Sequence, residues 1–259
     1  MPELPEVETY RRLALSVRGR KVTSISTPDR WYLKGGATGP ILRRALVGRR
    51  VEDVRRIGKI VLLDMDSGDT LGLRFGMTGT LLVDGKAGVD RLIYSSQQFQ
   101  RKWNRFTMRF EQGSLAVHDP RRLGGVSLNP DLSRLGPDAV SITASQLGAA
   151  LRGSSAPLKA RLLDQSKVAG IGNLIADELL WQAGLSPLRP AGSLTPAEVR
   201  RLHRTMRRTL TQLLDKGGSH LGDLMDERHR DGRCPKDGTL LSRATVGGRT
   251  TYWCPKHQV

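Results

Sequence analysis

The stretch KIVLLDMDSGDTLGLRFGM, residues 59–77, sets the fold class of the first half of the chain. Apolar runs on both sides of the glycine-containing turn DSGD predict the two strands of a hairpin. TGTLLVDG follows at 78–85 as a further strand, and WNRFTMRFEQGSLAVHD repeats the hairpin pattern at 103–119. Short strands with such frequent turn signals predict a β-sandwich or barrel. Apolar residues at helical spacing in 6–17 predict one helix ahead of it.

The pattern changes at LNPDLSRLGPDAV, residues 128–140, where proline, glycine and aspartate predict a domain boundary. Beyond it the apolar spacing is helical, and the chain ends in a predicted hairpin that turns at Gly247-Gly248. We therefore expect an α+β protein of three domains. They are an N-terminal β-sandwich domain with flanking helices at 1–130, a helical domain at 131–225, and a small β-hairpin at 226–259.

The charge balance indicates a polyanionic partner. The chain has 259 residues, 42 Lys and Arg against 25 Asp and Glu, and a formal net charge of +17. A basic excess spread over both halves favours nucleic acid over a merely solubilising surface. The sequence has no long apolar run and no signal-peptide pattern, and its two cysteines do not make a secreted disulfide scaffold. We expect a soluble protein of a bacterial cytoplasm, associated with the nucleoid.

The terminal hairpin carries a possible metal site. Cys234, Asp237, Cys254 and His257 form the pattern C-x2-D-x16-C-x2-H, in which two short ligand pairs flank a hairpin, as in a zinc ribbon. Cysteine and histidine suit Zn²⁺, and a carboxylate is a less common fourth ligand. The alternative is two buried thiols beside a turn aspartate, because Asp237-Gly238 is also a plain turn signal.

Two further segments could contact phosphates. In GIGN, residues 170–173, Asn173 is placed to cap the helix that follows, and free N–H groups at that helix start could bind an anion. The alternative is simply a helical hairpin. In HDPRRLGG, residues 118–125, two consecutive arginines could reach a phosphate or enter a base stack. The dipeptide alone favours a solvated turn over either contact.

The opening stretch MPELPEVE combines a helix start with a potential nucleophile. Pro5, Glu6 and Glu8 suit the first turn of a helix and the positive end of its dipole. Removal of the initiator methionine would leave Pro2 with a free secondary amine. The reference pKa of an α-amino group, about 7.7–8.0, leaves part of it unprotonated near neutral pH. Amines attack carbonyl-like carbons to form Schiff bases, and Glu3 could supply a proton.

Taken together, these motifs resemble one family. PELPEVE at the start, Gly-Lys in the first hairpin, MTG in the next turn, DPRR, GIGN and the terminal ribbon are similar, in this order and over essentially the whole chain, to the formamidopyrimidine-DNA glycosylase and endonuclease VIII family. The resemblance implies a bifunctional DNA glycosylase and AP lyase of base excision repair. Such an enzyme removes oxidised bases from duplex DNA and needs no organic cofactor. The same resemblance implies that the helical domain at 131–225 is a helix-two-turn-helix domain and that the hairpin at 226–259 is zinc-finger-like.

The resemblance also implies the roles of individual residues. Pro2 would be the nucleophile at the sugar C1′, Glu3 the general acid, and Lys59 a catalytic-site lysine that binds phosphates beside the lesion. The Schiff base so formed would allow strand cleavage by β,δ-elimination. Glu6 would lie near the base pocket. The remaining DNA-binding residues implied are Met77, Arg121, Leu123, Lys159, Asn173 and Arg249.

Three departures from the family pattern keep the substrate open. Leu123 stands where the guanine-repair branch has an aromatic residue, and the segment before Cys234 is short where that branch has a longer loop. Asp237 and His257 stand where other members have cysteines. One alternative is therefore a glycosylase for oxidised pyrimidines or for bulky or crosslinked adducts. Another is a damaged-DNA-binding protein without catalysis. We expect a monomer with one structural zinc.

Overall fold

The computed structural model describes residues 2–89 and 100–259 of the chain. The chain divides into two compact units, Met1–Leu132 and Ser133–Val259. The boundary falls in the proline- and glycine-punctuated stretch where the sequence predicts one. No helix in the described part of the chain is long and apolar enough to cross a membrane.

The first unit is a β-sandwich with two helices. The helices are α1 (Leu4–Ala14), continued by a 3-10 turn (Leu15–Val17), and α2 (Gly39–Leu46). The strands are β1 (Val22–Ser26), β2 (Leu33–Lys34), β3 (Val51–Ile57), β4 (Ile60–Met65), β5 (Thr70–Arg74), β6 (Thr80–Val83), β7 (Lys86–Ala87), β8 (Asn104–Phe110), β9 (Ser114–His118) and β10 (Gly125–Leu128). Further 3-10 turns span Arg30–Tyr32 and Arg101–Trp103.

Within the described residues these strands form two five-stranded sheets, in the orders β1-β8-β9-β6-β7 and β2-β10-β5-β4-β3. Pairing is antiparallel except between β10 and β2, which run parallel. One apolar cluster contains side chains from both sheets and from α1, such as Phe106, Leu63 and Val7, each completely buried. Alternating apolar residues on the facing sides of two sheets build a core of this kind.

The second unit is helical and ends in a hairpin. Its helices are α3 (Ala144–Leu151), α4 (Leu158–Leu163), α5 (Asn173–Ala183) and α6 (Pro196–Lys216), and its strands are β11 (Ser242–Val246) and β12 (Arg249–Trp253). Short 3-10 turns span Ala191–Ser193, Ser219–Leu221 and Met225–Glu227. A capping box of Thr195 and Glu198 opens α6, and Gly217, with a φ of 85°, ends it.

The predicted α+β class, sandwich and terminal hairpin are confirmed. The hairpin expected as a separate domain at 226–259 lies in the second compact unit together with the helices. Trp181 of α5, Leu224, Cys234, Leu241 and Cys254 share one small buried cluster. A hairpin of this size has too little apolar surface of its own, so it packs on α5.

Candidate active site and nucleic-acid interface

The start of α1 holds the catalytic candidates in a buried setting. Pro2 is buried, Glu3 is completely buried and Glu6 is 2% exposed. Glu3 is the N-cap of α1, and its N–H donates to Oε2 of Glu6 at 2.9 Å. Glu6 therefore fixes the backbone that carries Glu3. The helix begins at Leu4, two residues earlier than the sequence predicts, because Pro5 suits its first turn.

The third glutamate of the opening stretch links α1 to the hairpin of Lys59. Glu8 accepts hydrogen bonds from Arg11 at 2.7 Å and from Arg56 Nε at 3.2 Å. Arg56 also donates to the carbonyl of Gly58 at 2.9 Å, in the turn between β3 and β4 that carries Lys59. Burial opposes ionisation of Glu8, but the two arginines outweigh it and lower its pKa.

Helix α1 is also bonded to the turn that carries Met77. The hydroxyl of Tyr10 donates to the carbonyl of Gly79 at 3.2 Å, and the Tyr10 ring lies 4.6 Å from that of Phe75. Burial raises the pKa of Tyr10, so this hydroxyl stays protonated and remains a donor. The half-buried Met77 therefore stands on a turn that α1 holds in place.

Asp119 joins the Met77 turn to the DPRR loop. Its side chain is completely buried and accepts from the Thr78 hydroxyl at 2.6 Å, from Arg121 N–H at 3.2 Å and from Gly124 N–H at 2.8 Å. Arg105 Nε donates to the Asp119 carbonyl at 2.8 Å. A carboxylate that collects several donors acts as a rigid bracket. The structure thus brings Met77 and Arg121 onto two loops that share one anchor.

The two loops are also in direct backbone contact. A Cβ built on Gly76, whose φ is +58°, would lie 2.3 Å from the Leu123 carbonyl carbon, so only glycine allows this approach. Arg121 is exposed, and half of the Leu123 side chain is exposed. Met77, Arg121 and Leu123 thus form a partly exposed group on a fixed support.

In the second unit, Gln165 shapes the turn before Asn173. Its Nε2 donates to the carbonyls of Leu163 and Ile171, both at 2.9 Å, and its Oε1 accepts from Gly170 N–H at 3.0 Å. Gly172 is the N-cap and Asn173 the first residue of α5, so the predicted capping role of Asn173 is wrong. Its buried Oδ1 has no hydrogen-bond partner within the described residues.

Lys159 lies where a phosphate ligand could not reach it. Its side chain is completely buried, and Nζ lies 2.6 Å from Oδ1 of Asp177 and 2.8 Å from the Thr251 hydroxyl. Arg228, 6% exposed, pairs with the other oxygen of Asp177 at 2.7 Å. The predicted phosphate contact of Lys159 is therefore wrong in this structure. The lysine instead ties α4 to α5 and β12.

Arg249 is exposed at the tip of the terminal hairpin. It follows the turn Gly247-Gly248, in which both glycines have positive φ. A Cβ on Gly247 would lie 3.1 Å from Cβ of Ala160, so the hairpin tip lies close to α4. The arginine is thus presented from a short strand that α4 supports.

The four residues predicted to bind a metal lie together. One ligand atom from each of Cys234, Asp237, Cys254 and His257 lies within 4.8 Å of all the others. Cys234 Sγ is 3.6 Å from His257 Nδ1, Cys254 Sγ is 3.5 Å from Asp237 Oδ2, and His257 Nδ1 is 3.5 Å from Asp237 Oδ2. Tetrahedral zinc with Zn–S of about 2.3 Å and Zn–N or Zn–O of about 2.1 Å requires edges of about 3.4–3.8 Å. The four residues therefore fit Zn²⁺.

Groups around the four ligands orient them. His257 Nε2 lies 3.2 Å from the Trp181 carbonyl, which would leave Nδ1 for the metal. Trp181 Nε1 donates to Cys234 Sγ at 3.3 Å. The Thr239 N–H donates to Asp237 at 2.9 Å and lowers the pKa of that carboxyl, whereas burial raises the pKa of the Cys254 thiol. This support resembles the outer shell of a structural metal site.

Comparison with known sequences places the chain in a family. A model of the formamidopyrimidine-DNA glycosylase N-terminal domain matches residues 1–126, and a model of the formamidopyrimidine-DNA glycosylase H2TH domain matches residues 135–223. The chain belongs to the formamidopyrimidine-DNA glycosylase family. The formamidopyrimidine-DNA glycosylases of Chloroflexus aggregans and Thermus thermophilus are 34% and 36% identical to it. Both alignments cover 100% of this chain, with 99% and 98% of the relatives.

Solved structures of the family agree with this assignment. A complex between the Lactococcus lactis enzyme and DNA containing an abasic site has a TM-score of 0.84 and 25% identity, covering 99% of each chain. A complex of the same enzyme with DNA containing N7-benzyl-Fapy-dG has the same TM-score, identity and coverage. The predicted family and enzyme class, a DNA glycosylase of base excision repair, are confirmed.

Sequence reasoning missed the residues that hold this family's motifs in place. Asp119 is the first residue of DPRR, and Gln165 is the last residue of LKARLLDQ, residues 158–165. The motifs suggested roles for neighbouring residues but none for these two. Asp177 follows GIGN by four residues, on the inner side of α5, where it meets Lys159. A polar side chain between apolar helix positions is the signal that could have identified Asp177 as a buried partner.

Proposed function

We propose that this protein excises oxidised bases through a covalent intermediate on Pro2. After removal of Met1, the secondary amine of Pro2 attacks C1′ of the damaged nucleotide, and the base leaves with the electron pair of the glycosidic bond. Glu3 donates a proton to the sugar, whose ring opens to give an iminium ion. Loss of the 3′ phosphate by β-elimination and of the 5′ phosphate by δ-elimination then cleaves the strand. Met1 lies outside the described residues.

One observation carries this proposal. Glu3 is a completely buried carboxylate next to the proposed nucleophile, and Glu6 holds its backbone. The N-cap role of Glu3 accounts for its place at a helix start but not for a proline at position 2. A carboxylate held without solvent beside the reacting amine is suited to proton transfer. The rival reading, a damaged-DNA-binding protein without catalysis, gives no role to Pro2.

The phosphate and lesion contacts follow the same family pattern. We propose that Lys59, Arg121, Asn173 and Arg249 bind the DNA backbone, and that Met77 and Leu123 occupy the space left by the flipped nucleotide. Arg121, Leu123 and Arg249 are exposed, and the other three are half-buried, so none is closed off from a partner. A loop arginine, a helix start and a hairpin tip are all common phosphate ligands, which supports this proposal. Leu123 has no aromatic ring, so it would fill this space by apolar contact and not by stacking on a base. Glu6 would lie at the edge of the base pocket.

Borohydride trapping on a duplex with one abasic site tests the nucleophile. Borohydride reduces the imine to a permanent crosslink, so wild-type protein lacking Met1 should form a covalent complex. One additional residue before Pro2 should abolish trapping, because it turns the amine into an amide. Pro2→Gly, which has a primary amine in place of the secondary amine of proline, should strongly reduce the yield of trapped complex.

The control for trapping is binding to a duplex with tetrahydrofuran, a stable abasic analogue. Both variants should still bind this duplex, which shows that they are folded. Undiminished trapping in the extended protein would remove Pro2 from the mechanism. Tight binding by wild-type protein without any trapped complex would instead support the non-catalytic reading.

We propose that Cys234, Asp237, Cys254 and His257 hold one structural zinc. Bound zinc would supply stability to the terminal hairpin rather than chemistry. Purified protein should contain one zinc per chain, and Co²⁺ should give the visible bands of a tetrahedral site with two thiolates. Asp237→Ala should weaken Co²⁺ binding at least about tenfold, whereas Asp231→Ala, an exposed aspartate before the same hairpin, should not. Equal Co²⁺ spectra and affinities in both variants would exclude Asp237 as a ligand.

The short segment between α6 and Cys234 would leave room beside the flipped base for a wide range of lesions. It is pinned to α5, since Leu224 N–H donates to Glu178 at 2.9 Å and Arg228 pairs with Asp177. The alignment with the Chloroflexus relative spans 283 positions against 259 residues here, so relatives have residues with no counterpart in this chain. Without a long loop to cover the base, we propose that bulky or crosslinked adducts also enter.

Excision of 8-oxoguanine, thymine glycol and a crosslinked base, each measured in single turnover, tests the lesion range. Comparable rates on the bulky lesion and on 8-oxoguanine would support an open pocket. A strong preference for 8-oxoguanine would contradict it and leave the excision of oxidised bases intact. We further propose a monomer that acts in a bacterial cytoplasm, in keeping with its bacterial relatives.

A further inference from the structure

Trp31 is an exposed tryptophan without a role in the proposed reaction. Its side chain is 68% exposed, whereas Trp181 is 3% exposed and Trp103 and Trp253 are half-buried. It stands in the 3-10 turn Arg30–Tyr32, next to a completely buried Tyr32. Tryptophan offers a large, rigid apolar surface, and most of that surface is in contact with water here.

The Trp31 turn is bonded to the DPRR loop through one carboxylate. Asp29 accepts from Trp31 N–H at 3.2 Å and from Arg122 Nε and Nη2 at 2.6 and 2.7 Å. Arg122 has a φ of +58°, and Arg105 approaches Asp29 at 3.5 Å. The hydrogen bonds from Arg122 and the nearby charge of Arg105 lower the pKa of Asp29, so its carboxylate stays ionised at neutral pH. The turn that carries Trp31 is thus fixed to the loop that carries Arg121 and Leu123.

The surroundings of the indole are cationic. Lys34 Nζ lies 4.6 Å from the Trp31 ring centroid and donates to the Trp31 carbonyl at 2.7 Å. Arg30, the residue before Trp31, and Arg122, which pairs with Asp29, are both exposed. An apolar partner would leave these charges poorly solvated, whereas a nucleic acid offers both an anionic backbone and flat base or sugar surfaces.

From this juxtaposition we propose that Trp31 is a DNA-binding residue, whose indole packs against a nucleotide of the duplex beside the DPRR loop. The proposal rests on the proposed function, because it assumes that the DPRR loop meets DNA. Asp29 positions the indole relative to Arg121 and Leu123, so one rigid unit presents an aromatic surface, an aliphatic wedge and cations together. A preformed aromatic contact loses little conformational entropy on binding.

Affinity for the tetrahydrofuran duplex tests the contact without any chemistry. Trp31→Ala should bind at least about fivefold more weakly, the lower end of the effect of removing one base-stacking aromatic. Trp31→Phe should restore most of the affinity. The matched control is Ile41→Ala, which truncates another exposed apolar side chain of the same unit, 46% exposed on α2, and should bind as wild type does.

A second readout follows the indole itself. Acrylamide should quench Trp31 most strongly among the four tryptophans, and the duplex should protect it. In Trp31→Phe, the part of the tryptophan fluorescence that the duplex protects from acrylamide should be absent. Wild-type affinity of Trp31→Ala, or quenching that DNA leaves unchanged, would overturn the proposal, as would burial of Trp31 by a protein partner that excludes DNA. If trapping on Pro2 is normal in such a case, only the Trp31 contact fails. If wild-type protein neither binds nor traps, the proposed function fails with it.

Discussion

At the scale of single residues, burial decides what a basic side chain does. Lys159 and Arg249 both belong to the second unit, but the first is completely buried and the second exposed. Lys159, Asp177 and Arg228 form two ion pairs around one carboxylate. Removing one partner from a buried ion pair is costly because it leaves an uncompensated charge.

Lys159→Met should therefore destabilise the protein without weakening phosphate contacts. We expect a loss of about 3 kcal/mol in the free energy of unfolding, the lower end for a broken buried pair, since Arg228 still faces Asp177. Urea denaturation followed by circular dichroism measures it. Lys216→Met, which breaks a half-exposed pair with Asp223, should cost less than about 1 kcal/mol. Equal effects of the two substitutions would contradict the structural role of Lys159.

These residues also show what the sequence could not predict. The motifs PELPEVE, DPRR, GIGN and the terminal ribbon indicated the family and the four residues of the candidate metal site, because each motif is a short pattern along the chain. The burial of Lys159 depends on Asp177 and Thr251, which lie 18 and 92 positions away. No periodicity within α4 encodes such distant partners.

At the scale of elements, Asp119 couples two loops that have no strand pairing with each other. Asp119→Ala would leave the buried Gly124 N–H without its acceptor, and each such group costs about 1–3 kcal/mol. We expect lower thermal stability and slower excision, with binding to undamaged duplex nearly unchanged. Asp84→Ala is the control, because Asp84 also accepts from a backbone N–H but lies exposed. Excision at the wild-type rate in Asp119→Ala would show that the loops need no common anchor.

The capping box of α6 should make stability depend on acid. The hydrogen bonds of Arg189, then of Thr195, lower the pKa of Glu198 from 4.5 to about 2. A carboxyl with a lowered folded-state pKa stabilises the fold above pH 4.5, and this contribution is lost as the pH falls toward 2. Melting temperatures between pH 6 and pH 2 should therefore fall more steeply in wild type than in Glu198→Gln. Parallel curves would mean that the Arg189 pair is already lost in solution.

The sequence predicted elements with strong apolar periodicity and missed elements that are short. The hairpin of β4 and β5 lies where the sequence predicts it, and helices α3 to α6 fall in the part of the chain whose apolar spacing is helical. Helix α2 was missed, although Thr38 caps it and Pro40 stands in its first turn, because it spans only eight residues. The two-residue strand β2 pairs in parallel with the distant β10, and no local pattern predicts such a pairing.

At the scale of the whole molecule, the net charge of +17 should appear as a salt dependence of DNA binding. Each phosphate contact contributes about −0.9 to the slope of log affinity against log salt on duplex DNA, so Lys59, Arg121 and Arg249 together predict about −2.7. Filter binding or fluorescence anisotropy on one undamaged duplex, across a series of salt concentrations, measures this slope.

Two substitutions separate phosphate contacts from general charge. Arg249→Ala should make the slope shallower by about 0.9, whereas Lys159→Met removes the same formal charge from the interior and should leave the slope unchanged. Both lower the net charge by one, so a purely long-range effect of the basic surface would alter the two slopes equally. That result would mean that the excess of basic residues attracts DNA only through long-range electrostatics. If only Arg249→Ala changes the slope, the hairpin tip is instead identified as a point of contact with the DNA backbone.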